Sequence, residues 1–93
     1  MDFTNIMEGI QLVEAERGVD EMSVEARVDL RRAAWHVCHR ELDYLQKKHN
    51  WYDGAIDRME SKISMLVRDA VDIAGPGYAT DVFGEDEIRL SQK

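Results

Sequence analysis

Residues 23–74 read SVEARVDLRRAAWHVCHRELDYLQKKHNWYDGAIDRMESKISMLVRDAVDIA and carry two stripes of matching length. In the first half Val24, Val28, Arg31, Trp35, Cys38, Leu42 and Leu45 alternate steps of four and three. Tyr52, Ile56, Met59, Ile63, Leu66, Ala70 and Ile73 repeat the same steps in the second half. A spacing averaging 3.5 residues keeps one face of a helix turned toward a partner helix, with a slight supercoil. Folding the chain back around His49 pairs Val24 with Ile73, Val28 with Ala70, Trp35 with Ile63, Cys38 with Met59 and Leu45 with Tyr52. The stretch therefore predicts a long antiparallel αα-hairpin, helices 23–48 and 51–74, each about 36 Å long.

The ends of the two helices carry their own signals. Ser23 is an N-cap residue, with Glu25 in the first turn, and Lys47 and Lys48 suit the negative end of the helix dipole. Asn50 and Asp53 imitate a capping pair at the start of the second helix. Gly75-Pro76-Gly77 breaks any helix that reaches it.

Outward from the hairpin, residues 1–18 predict a short first helix. Phe3, Ile6, Met7, Ile10 and Val13 share one face, Asp2 or Thr4 can cap its start, and Gly18 can end it. The other flank, residues 75–93, loses the helical period and reads as an irregular tail, with at most one further turn or an extended arm near Ile88 and Leu90. The whole is expected to be one all-α domain, since 93 residues are too few to divide.

The hairpin seam leaves apolar residues over. Leu30, Ala34, Val37 and Tyr44 form a second stripe on the first hairpin helix, and Met65, Val67, Val71 and Ala74 lie off the seam of the other. A five-residue apolar face on the short first helix covers only part of this. The expected solution is self-association into a helical bundle, a two-fold dimer first, with Leu30, Ala34, Val37 and Tyr44 as its interface. If the chain is instead a monomer, the tail must cover the surplus through Tyr78 and Phe83.

Acids outnumber bases 19 to 12, giving a net charge of -7 and an isoelectric point near 4.8. That balance argues against direct nucleic-acid binding, because phosphate contacts require a cationic surplus, and it equally disfavours a polybasic membrane anchor. No apolar run spans a bilayer and no secretory signal opens the sequence, so a cytoplasmic protein is expected. A single cysteine, Cys38, permits no internal disulfide. Residues 1–22 carry -5 and residues 23–50 carry +2, which favours docking of the first helix on the second, within or between subunits.

Four groups of residues could carry chemistry. His36, Cys38 and His39 fail as a zinc site, because position 38 points about 160° away from 36 on a helix, and neither a metal nor another cofactor is expected. Cys38 sits on the seam, where a thiol acts as a small apolar group and is a poor nucleophile. Arg27, Arg31 and Arg32 with Trp35 could hold an anion; the alternative is ion pairing, Asp29 with Arg32 and Asp69 beside Arg27. Arg31 on the seam is the oddity, and a polar group there can set register. Finally, Trp51 and Tyr52 at the hairpin tip are aromatic candidates for partner contact.

No Ser-His-Asp order, P-loop or dinucleotide glycine fingerprint is present. The paired Glu-x-x-Glu and Glu-x-x-Asp motifs of all-α nucleotide pyrophosphohydrolases, enzymes of similar size, are also missing from suitable positions. The expectation is a non-enzymatic protein–protein interaction module, an adaptor or inhibitor with an as yet unidentified protein partner. Its compact acidic character resembles that of phage and mobile-element accessory proteins. An acidic surface of this kind can occlude a basic partner. The alternative is an oligomer that binds a small anion or nucleotide between helices through Arg27, Arg31, Arg32 and Trp35.

Overall fold

The computed structural model describes residues 6–48 and 54–92, and every regular element among them is helical. Helix α1 (Ile6–Arg17) leads through a single 3-10 turn (Val19–Glu21) into α2 (Val24–Lys48), and α3 (Ala55–Ala74) returns alongside it. Two short helices follow, α4 (Pro76–Phe83) and α5 (Glu85–Ser91). The 25 residues of α2 span about 37 Å and set the long axis of a 43 × 29 × 17 Å molecule.

The hairpin forms as its stripes require. Val28, Arg31, Cys38 and Leu45 are the buried residues of α2, all drawn from the seven-position stripe. Opposite them α3 buries Met59, Ile63, Leu66, Val67 and Ala70. Ser23 caps α2, its hydroxyl accepting a hydrogen bond from the Ala26 N–H at 3.0 Å. Gly18 follows α1 at a positive φ of 86°. The Asp2 and Thr4 caps, and the turn with Trp51 and Tyr52, lie outside the described residues.

The expected irregular tail is corrected to α4 and α5. Gly75-Pro76 does end α3, but the same pair starts the next helix. Gly75 takes φ 87°, a conformation open to glycine without strain, and its N–H closes α3 on the Val71 carbonyl at 2.8 Å. Pro76 then occupies the first position of α4, where a missing N–H costs nothing. Gly84 (φ 95°) repeats the device between α4 and α5, donating to the Thr80 carbonyl at 2.8 Å.

Two apolar clusters share the interior. One joins Ile10, Cys38, Leu45, Met59, Ile63 and Leu66, with Ile6, Met7, Leu30 and Ala34 packed against it. The second joins Val28, Val67, Ala70, Ala79 and Phe83, with Val71, Ala74, Tyr78 and Val82 at its margin. Trp35 borders both. The chain covers part of its own surplus stripes: α1 shares a cluster with Leu30 and Ala34, and α4 shares one with Val67, Val71 and Ala74, while Tyr44 and Met65 stay exposed. Leu30 and Ala34, expected at a dimer interface, are half-buried within the chain, packed against the first cluster. Among the described residues the large apolar side chains left exposed are Leu12, Val19, Val24, Tyr44, Met65 and Leu90, spread over five elements rather than gathered in one patch. Scattered apolar residues of this kind are ordinary on a protein surface.

Candidate functional site

Arg31 is the largest fully buried side chain in the molecule's described part, at 2% exposure, and it sits where α1, α2 and α3 meet. Its guanidinium holds Glu14 of α1 in a two-pronged grip: Nη1 donates to Oε2 at 2.9 Å and Nη2 to Oε1 at 3.1 Å. Nε donates to Asp69 Oδ2 of α3 at 2.5 Å, and Nη1 also donates to the Arg27 carbonyl at 2.8 Å. Arg27 completes the group, its Nε donating to Glu14 Oε2 at 2.7 Å. Two acids and two bases thus close on one another.

The electrostatics follow from this closure. The Arg31 hydrogen bonds hold the Glu14 carboxyl below its ordinary range, against burial, which alone would raise it, with Arg27 adding to the same effect. Burial works to lower the pKa of Arg31, but Glu14 and Asp69 outweigh it and raise the value. A guanidinium is the right group for this place, because its flat fork matches a carboxylate and serves a second acceptor through Nε.

Asp69 pairs with Arg31, not with Arg27 as the hairpin register suggests. The cause is side-chain direction. Helical side chains lean toward their own N-terminus, so the Arg31 guanidinium lies a turn back, against the Arg27 carbonyl. At that level of α2 it is opposite Asp69, and the register of the seam is unchanged.

The arginines expected at an anion pocket are therefore brought together, but around carboxylates of their own chain. Arg32 is exposed, and the Asp29–Arg32 pair does not form. Trp35 makes its ring contacts elsewhere, edge-on to His36 at 5.0 Å, His39 at 4.4 Å and Phe83 at 5.5 Å between centroids. The grooves nearest in size to a ligand site are lined by Gln46, Ile56, Asp57 and Glu60 (about 410 Å³) and by Asp57, Glu60, Ser61, Ser64 and Arg68 (about 580 Å³). Asp57 and Glu60 line both, and Arg68 is the one base among these lining residues. Val37 is half-buried and Tyr44 exposed on α2, and Trp51 and Tyr52 lie outside the described residues.

Cys38 is buried as its seam position implies, and burial pushes the thiol pKa up, with Lys62 acting weakly the other way. His36 is exposed, whereas His39 is half-buried against Trp35. Among the described residues no three His, Cys, Asp or Glu side chains converge as metal ligands, and no helix is long and apolar enough to cross a membrane.

Glu14 is the residue that sequence reading missed. It falls four positions after Ile10, on the apolar face of its helix, just as Arg31 falls on the seam of α2. Two opposite charges on the inward faces of consecutive helices are the signal that identifies the pair. What remains outward is acidic. Around the junction of α1 and α2, Glu16, Asp20, Glu21, Glu25 and Asp29 are all exposed, with Arg17 the exposed base among them. No family model, curated protein or solved structure matches this chain.

Proposed function

We propose that this protein is a non-enzymatic interaction module, an adaptor or inhibitor, whose acidic α1–α2 corner docks on a basic surface of another protein. The observation that carries the reading is the inward turn of Arg27 and Arg31. With both cations engaged by Glu14 and Asp69, the five exposed acids from Glu16 to Asp29 face solvent with little local neutralisation. An excess of negative charge on a helical corner steers a complementary partner and discriminates against wrong ones. The same inward turn removes two of the three cations from which an Arg-based anion pocket would be built.

The test is a capture experiment from the native host with the tagged chain and a charge-reversed variant, Glu21→Lys with Glu25→Lys. Both positions are exposed, so the variant is expected to fold with wild-type stability to within about 0.5 kcal/mol. Wild type is expected to retain a basic protein, with association that slows as salt is raised. The variant is expected to lose it at least tenfold. Equal capture by both proteins, or no specific protein with wild type, would overturn the proposal.

A further inference from the structure

We infer that α1 is a strap that opens from the hairpin as a unit, fastened in its closed form by the ion latch at Glu14. Its apolar fastening is small. The buried residues of α1 are Ile10 and Glu14, whereas α3 buries five apolar side chains. Gly9 in the middle of α1 leaves a further gap: a Cβ there would meet nothing within 4 Å, and glycine weakens a helix interior. Glu14 supplies what the apolar face lacks. It is 3% exposed, and the hydrogen bonds to its carboxylate come from α2, two from Arg31 at 2.9 and 3.1 Å and one from Arg27 at 2.7 Å.

The latch can break without stranding a charge. Opening returns Glu14 to water, and Arg31 keeps Asp69 and the Arg27 carbonyl as acceptors. The joint is also free to swing. Gly18 ends α1 at φ 86°, and the 3-10 turn that follows, Val19–Glu21, buries none of its residues. Ile10 shares its cluster with Cys38, and Leu30 and Ala34 pack against that cluster. Lifting α1 therefore removes cover from one side of the cluster and admits small reagents to Cys38, which is fully buried in the closed form. The helix α4 bears on the other cluster through Ala79 and Phe83, so its loosening is a separate event.

Cys38 is the single cysteine, so its rate of reaction with Ellman's reagent reads the opening in the intact chain. In wild type at low urea the rate is expected to rise with urea at less than about half the slope of global unfolding, the mark of a local event. Glu14→Ala removes the latch and keeps a good helix former; it is expected to speed the reaction at least about tenfold at the same low slope. Phe83→Ala, which loosens α4 and α5, should leave the low-slope rate within about twofold of wild type. A wild-type slope equal to that of global unfolding, no acceleration in Glu14→Ala, or an equal acceleration in Phe83→Ala would each overturn the inference. If Glu14→Ala does not fold, Arg27→Ala decides. Loss of its one bond to Glu14 must raise the low-slope rate several-fold, and an unchanged rate refutes the strap.

Discussion

Arg31→Met is expected to remove about 3–5 kcal/mol of folding stability, a large share of what a domain of this size possesses. The loss comes from what is left behind. Glu14, 3% exposed, would keep a buried carboxylate with Arg27 as its one remaining cationic partner. Arg27→Ala should cost far less, about 1 kcal/mol, because that side chain is 24% exposed and gives Glu14 a single hydrogen bond. Combining Glu14→Gln with Arg31→Met should recover part of the loss, since it removes the stranded charge.

The same variant should change the response to acid. In the wild type the folded-state pKa of Glu14 lies below its unfolded value near 4.5, so its contribution is complete above that value. It is lost as pH falls through the lower, folded value. In Arg31→Met the principal cause of the lowering is gone while burial still raises the carboxyl, and the acid-induced loss should flatten. Urea titrations of both proteins from about pH 7 to about pH 3 measure it. A loss below about 1 kcal/mol, or an unchanged acid limb, would show that the ion cluster does not hold the three helices together.

Phe83→Ala carries the second large effect, about 3–5 kcal/mol by the usual cost of truncating a buried aromatic. Phe83 is 6% exposed and joins α4 to Val28, Val67 and Ala70, with its ring edge-on to Trp35. Without it, α4 and α5 have little else to bury: Ala79 and Ser91 are their other fully covered residues. Amide exchange should therefore accelerate across Pro76–Phe83 and Glu85–Ser91 well before it does in α2 and α3. Uniform acceleration over the whole chain would mean that the C-terminal helices and the hairpin unfold as one unit.

The hairpin was legible because each helix is long enough to display its period many times, and Cys38, Ile63 and Leu66 are buried where the stripes place them. The C-terminal helices were not. Eight residues of α4 show the period once, through Ala79 and Phe83, and the Gly75-Pro76 pair that ends one helix is equally the sequence of a new start. In α5 the buried residue is Ser91, whose hydroxyl donates to the Ile88 carbonyl at 2.8 Å, and no apolar pattern announces it. The ion cluster was half legible. Arg31 on an apolar seam stood out, and the charge difference between residues 1–22 and 23–50 favoured docking of the first helix. Selecting Glu14 from its acidic neighbours needed the three-dimensional meeting of α1, α2 and α3.

These packing relations bear on assembly. Part of the apolar area for which a second copy was expected lies against α1 and α4 of the same chain, leaving Val37 half-buried and Tyr44 and Met65 exposed. Coverage of this much of the stripe within one chain favours a monomer over the two-fold dimer. Light scattering of the wild-type protein at micromolar concentration tests this most directly. A mass of one 10.7 kDa chain is the expected result. A stable dimer or larger assembly would contradict it.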